Sequence, residues 1–156
     1  MSDAETLISR RQFCTGACSA TLLSLFAACG SSPSSPSSGG GSNVTTLSTS
    51  TGKFTNNSVQ VAVSGSALAT VGGAVVVDSV AGVFLLARTS DSAFSAIEAV
   101  CTHEGCTVNG SDGAIYVCPC HGSRYDRDGH VVGGPAQASL RQYKSSFAGD
   151  TVTIAL

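Results

Sequence analysis

The chain has 156 residues, a formal net charge of −2, 42% hydrophobic residues and only 12% charged ones. That length allows one domain of ordinary size plus a tail, and that balance supports a packed core rather than a disordered chain. The weakly acidic charge argues against nucleic acid as a partner, and no continuous apolar run reaches the roughly 18 residues of a membrane-spanning helix.

The N-terminus reads as an address. Ser9-Arg10-Arg11-Gln12-Phe13 opens a modestly apolar stretch over residues 14–28. Twin arginines with Phe two residues later resemble a twin-arginine export signal. As a helix the stretch would span about 22 Å, short of a hydrocarbon core of roughly 30 Å. Leu25-Phe26-Ala27-Ala28-Cys29-Gly30 resembles a bacterial lipobox, with Phe26 where Leu is usual. The resemblance implies cleavage before Cys29 and lipidation of its sulfur, and two acyl chains would hold the protein on a membrane. Cleavage without lipid and an uncleaved signal kept as anchor are the alternatives. Residues 30–43 (GSSPSSPSSGGGSN) can bury no apolar surface and form a linker. It would reach about 46 Å extended and about 20 Å as a flexible coil. The plan is therefore a signal peptide or anchor over 1–29, a linker over 30–43 and a folded domain over 44–156.

Within that domain the pattern is of short β-branched runs broken by Gly, Asp and Ser. Residues 59–63 alternate. Residues 74–78 and 83–88 flank Ser79-Val80-Ala81-Gly82 and predict a hairpin. Residues 94–100 lead into a cysteine-rich box. Asn109-Gly110 reads as a turn between 107–108 and 114–117. Gly129 precedes a run at 130–132, and 140–147 pairs with 151–155 across Gly149-Asp150. No stretch of ten or more residues shows helical periodicity. An antiparallel all-β domain follows, with its chemistry on loops at strand ends.

Two boxes carry that chemistry: Cys101-Thr102-His103-Glu104-Gly105-Cys106 and Cys118-Pro119-Cys120-His121-Gly122-Ser123. Two Cys–His pairs can hold two irons and two sulfides, thiolates on one iron and neutral imidazoles on the other. Four such donors also suit a tetrahedral zinc, and the four box cysteines could simply form disulfides. Three details favour iron and sulfur. Cys106 and Cys120 are spare, one in each box, and paired they would tie the two loops together. Gly105 and Gly122 leave room for close loop approach. Ser123 and Tyr125 supply hydroxyls that could bond a sulfide and a cysteine sulfur. His130, beside Gly129, reads as a solvated surface residue.

From about Val59 to Leu156 the chain resembles the Rieske [2Fe-2S] family, on the strength of CTHEGC and CPCHGSRYD together. The resemblance implies an antiparallel all-β fold with a cluster-binding subdomain made of two loops, and one [2Fe-2S] cluster per chain. Cys101 and Cys118 would bind the inner iron, His103 and His121 the outer iron, and Cys106 would pair with Cys120. Ser123 and Tyr125 match the hydroxyl pair of high-potential members. Gly133-Gly134-Pro135 resembles the proline loop that covers the cluster, although Ala136-Gln137-Ala138 follows where quinol-oxidising members often have a second proline.

The function expected is one-electron transfer by a membrane-tethered carrier on the periplasmic or extracytoplasmic side, exported by the twin-arginine route. Its partners would be a redox donor and acceptor such as a quinol-oxidising complex and a cytochrome. The alternatives are a Rieske subunit of a bc-type quinol oxidase, or of a periplasmic molybdenum oxidase resembling arsenite oxidase. A structural zinc module is the non-redox alternative. Whether the chain is an enzyme or an electron-transfer subunit stays open.

Overall fold

A computed structural model describes residues 43–156. The signal or anchor over 1–29, with Cys29, and all but the last residue of the 30–43 linker lie outside the described residues. The larger of two sheets runs in the order β2 (Ser48–Thr51), β5 (Ala74–Ser79), β6 (Gly82–Arg88), β7 (Phe94–Glu98), β12 (Gln142–Ala148), β13 (Thr151–Ala155), β4 (Ser58–Ala62) and β3 (Lys53–Thr55). The smaller runs in the order β1 (Thr45–Thr46), β8 (Gly110–Asp112), β9 (Ile115–Val117), β10 (Arg124–Tyr125) and β11 (Val131–Gly133).

The central strands are nearly continuous apolar runs because both of their faces are covered. On one face Val76, Leu85 and Ile97 pack with Val108 and Tyr116 and with the two box cysteines Cys101 and Cys118. On the other, Val75, Val77, Phe84 and Leu86 pack with Val59, Val61, Val152 and Ile154. The β5–β6 register sets Val76 opposite Leu85 and Val75 opposite Leu86, so partners across the ladder share a face. Each such side chain contributes about 1.5–3 kcal/mol on full burial. One layer of the core therefore ends directly at the site.

The hairpins at β5–β6 and β12–β13 form as expected. A further hairpin joins β3 to β4 through Asn56 and Asn57, both at positive φ (50° and 57°), which a two-residue turn of this hand requires.

Two expectations are corrected. Asn109-Gly110 is not the turn: Gly110 opens β8, and the chain reverses at Gly113-Ala114. Gly110 is needed for space, since a Cβ there would stand 2.8 Å from the Val117 carbonyl oxygen and 2.9 Å from Val44 Cγ1. Nor is the pairing antiparallel throughout. β1 pairs antiparallel with β8, and the chain then continues without reversal through Leu47 into β2, which lies parallel to β5. One extended segment serves both sheets, so it cannot reverse to suit the second.

Candidate metal centre

Both boxes fold as the same six-residue loop. In the first, Cys101 N–H donates to the Cys106 carbonyl (2.8 Å) and Gly105 N–H donates to the Cys101 carbonyl (2.8 Å). In the second, Cys118 N–H donates to the Ser123 carbonyl (2.8 Å) and Gly122 N–H to the Cys118 carbonyl (3.0 Å). Gly105 and Gly122 hold φ of 74° and 73°. A Cβ at either would meet nothing within 4 Å, so left-handed backbone, not close approach, is why these positions are glycine. The signal for this likeness was in the sequence: Cys-x-x-x-Gly recurs at 101–105 and 118–122.

A disulfide joins Cys106 to Cys120 and straps the two loops together. The box cysteines do not all form disulfides: Cys101 and Cys118 stay as thiols, 3% and 1% exposed. The rings of His103 and His121 reach solvent with centroids 5.0 Å apart. The imidazole nitrogens gather with the Glu104 carboxylate in one group within 4.8 Å, while Cys118 gathers with the sulfurs of Cys106 and Cys120 in another. The two free thiols, Cys101 and Cys118, lie within hydrogen-bonding reach of each other in the buried interior, apart from the imidazole group, an inner and an outer pair as two bridged irons require and one tetrahedral zinc does not. The donor set fits a [2Fe-2S] cluster on both chemistry and placement.

Ser123 and Tyr125 are both buried close to the boxes. Tyr125 is fully buried, and its oxygen is 3.2 Å from Cys101 Sγ. Burial pushes the Cys101 thiol up, but hydrogen bonds from Tyr125, from the His103 backbone, and from Cys118 and Ser123 outweigh it and hold the thiol below its ordinary value. Burial, helped by the neighbouring Cys101, raises the Cys118 thiol. Of the pair, Cys101 is the more readily ionised. Burial and the Cys101 sulfur also raise the Tyr125 phenol, keeping its proton in place as a donor.

A third segment completes the site. Gly133 ends β11, and Gly134 presses against Ser123. Pro135 is exposed, and the buried residue is Ala136. Its N–H donates to Ser123 Oγ at 3.2 Å. Two residues on, the Ala138 carbonyl accepts from Thr102 Oγ1 at 2.6 Å. Neither Thr102 nor these backbone groups carried a sequence signal as site residues. His130 is exposed, as expected, but it is not merely solvated. Its Nδ1 lies 3.2 Å from Asp126 Oδ2, and Asp126 Oδ1 accepts from the N–H groups of Asp128 and His130, each at 2.9 Å.

The chain is similar to curated iron-sulfur subunits of the cytochrome b6-f complex. That of Chlorobaculum thiosulfatiphilum is 46% identical over 63 residues, 40% of this chain and 35% of that one. That of Prochlorococcus marinus (strain NATL1A) is 45% identical over 73 residues, 46% of this chain and 41% of that one. The chain thus matches well under half the length of these relatives. Among solved structures, the cyanobacterial plasma membrane Rieske protein PetC3 from Synechocystis PCC 6803 aligns with a TM-score of 0.48 and 29% identity, over 53% of this chain and 86% of that one. The model of the Rieske [2Fe-2S] domain matches residues 52–144. Since that match covers more than half of the chain, the protein belongs to the Rieske [2Fe-2S] domain family, with one such cluster.

Proposed function

We propose that Cys101 and Cys118 hold the inner iron and His103 and His121 the outer iron, and that the protein moves single electrons on the outer side of the cytoplasmic membrane while tethered by its N-terminus. The supporting observation is the asymmetry of the donors: two thiols closed into the core, two imidazoles reaching solvent. A partner can then approach the imidazole side while the thiol side stays dry. When bound, the cluster accepts and releases one electron, within the range of about −150 to +300 mV that imidazole ligation gives. Ser123 and Tyr125 donate toward sulfur and favour the upper part of that range. The Cys106–Cys120 strap keeps the two loops in register, and Gly133, Gly134 and Pro135 carry the third segment past Ser123.

The tether rests on the sequence: Arg10 and Arg11 for twin-arginine export, Cys29 for lipidation and residues 30–43 as linker. Export of a folded, cluster-loaded domain suits cytoplasmic assembly. The donor would be a quinol-oxidising complex or dehydrogenase and the acceptor a cytochrome, a reading supported by relatives named as cytochrome b6-f subunits. The same names and the exposed His121 favour a second reading, a subunit of a bc-type quinol oxidase with His121 receiving the quinol hydrogen bond.

Iron and acid-labile sulfide content, with electron paramagnetic resonance of protein from a cluster-competent host, tests the centre. Two irons and two sulfides per chain are expected, lost in Cys101→Ser and His121→Ala, and one zinc per chain would refute it. Fractionation tests the tether. Arg10/Arg11→Lys should block export, and Cys29→Ser should release the domain; a wild-type protein found only in the cytoplasm would overturn the location. Quinol-dependent reduction of the purified protein in the absence of a cytochrome b would favour neither reading over the other, whereas co-purification with one selects the subunit.

A further inference from the structure

The Thr102 hydroxyl has no role in the ligand scheme, yet the proton count around it is closed. Thr102 Oγ1 is 2.6 Å from the Ala138 carbonyl oxygen and 3.1 Å from the Tyr125 oxygen. A carbonyl only accepts, so the single Thr102 proton is committed to Ala138. Toward Tyr125, the Thr102 oxygen can then only accept. Thr102 N–H also points at the Tyr125 oxygen, at 3.3 Å, and donates to it. With Cys101 as a ligand thiolate, which only accepts, Tyr125 is left with one proton and two acceptors, Cys101 Sγ at 3.2 Å and Thr102 Oγ1 at 3.1 Å.

We propose that Thr102 competes with Cys101 for the Tyr125 proton and so sets the reduction potential below the value Tyr125 alone would give. The inference rests on the reading of Cys101 as an iron ligand. Hydrogen bonds to ligand sulfur are one of the terms that set the potential of such clusters, and they favour the state with the extra electron. A proton shared with Thr102 supports that state less than one held wholly by Cys101. The third segment acts in the opposite sense on the other hydroxyl. Ala136 N–H donates to Ser123 Oγ, which leaves the serine proton free to point at sulfur. Two backbone groups two residues apart therefore direct both hydroxyls, one toward the site and one partly away from it. Thr102 is a positioning residue, and it can be removed without touching a ligand.

Voltammetry of the cluster-loaded protein tests this. Thr102→Val keeps the backbone N–H but deletes the competing oxygen, and it should raise the midpoint potential. Thr102→Ser should keep the wild-type value. In a Tyr125→Phe background Thr102→Val should leave the potential unmoved, because no proton remains to be contested. A structural role alone would loosen the loop and shift the potential whether or not Tyr125 is present. An unchanged or lowered potential in Thr102→Val, or an equal rise in the Tyr125→Phe background, overturns the proposal. Thr102→Ala gives the same reading should the valine variant lose its cluster, and loss in both would make Thr102 structural and overturn it too. A normal Rieske resonance with an unmoved potential refutes the competition alone, whereas a wild-type protein without that resonance refutes the ligand reading beneath it.

Discussion

Gly134 sits so close to Ser123 that a Cβ on the glycine would stand 2.5 Å from the serine Cα and 2.6 Å from the Gly122 carbonyl oxygen. Its φ is +82°, a second reason for glycine. The contact holds the third segment where Ala136 N–H meets Ser123 Oγ. Gly134→Ala should cost about 1–3 kcal/mol in backbone strain, seen as a lower thermal midpoint and faster bleaching of the cluster absorbance. A variant with wild-type midpoint and bleaching rate would show that the segment yields freely.

The two hydroxyls should differ in weight. A hydrogen bond to a charged acceptor contributes about 1.5–3 kcal/mol, and the difference between redox states is smaller than the whole bond. For one electron, about 1.4 kcal/mol corresponds to roughly 59 mV. Ser123→Ala and Tyr125→Phe should each lower the potential by tens of millivolts, roughly 100 mV at most. Because Tyr125 divides its proton between Cys101 and Thr102, the serine substitution should have the larger effect. Square-wave voltammetry on the two variants decides it, and equal potentials to wild type in both would remove the hydroxyls from the account.

Loss of the strap should act on persistence rather than on assembly. Cys106 and Cys120 are 14 residues apart in sequence, a loop whose closure is worth about 3 kcal/mol to the folded state. Cys106→Ser and Cys120→Ser should show a Rieske resonance when fresh and lose it faster than wild type, whereas Cys101→Ser should show little from the start. Should Cys106→Ser resemble Cys101→Ser at the first time point, the division between ligand and strap is wrong.

Acid stability should depend on Asp126. Burial pushes its carboxyl up, but hydrogen bonds from the His130 backbone, the His130 ring and the Asp128 N–H outweigh it, and the net value lies below the ordinary one. A carboxyl depressed in the folded state adds stability that is fully present above its unfolded value, near pH 4, and is lost as pH falls through the folded value. Asp126→Asn should therefore flatten the loss of stability below about pH 4 while changing it little between that point and neutrality on the same side chain's account. Urea melts at a series of acidic pH values measure the slope, and parallel profiles for wild type and variant would refute the assignment.

The donor set of the proposed centre is legible in the sequence because ligand chemistry is carried by side chains at fixed local spacing. Cys101, His103, Cys118 and His121 announce themselves, and so does the apolar pattern of β5 and β6. What stayed hidden depends on distant backbone. Thr102 and Ala138 meet across 36 positions, and the partner of Thr102 is a carbonyl that every residue possesses. Gly110 looked like a turn because Asn-Gly usually is one, and only the packing of Val44 and Val117 reveals that space was the need. β1 and β2 lack alternation, being Thr- and Ser-rich and largely exposed, so pattern could not find them. The β3–β4 hairpin could have been found from Asn56-Asn57, both tolerant of positive φ.

The short strand β1 also has a protective consequence. It covers the outer rim of β8, which would otherwise offer a row of open N–H and C=O groups to any extended chain. The shield is only two residues long and both are exposed. A chain trimmed to begin after Thr46 would present the margin of the smaller sheet, a few residues from the second ligand loop, as a template for another molecule's strand. Self-association through that margin is the form its damage would take.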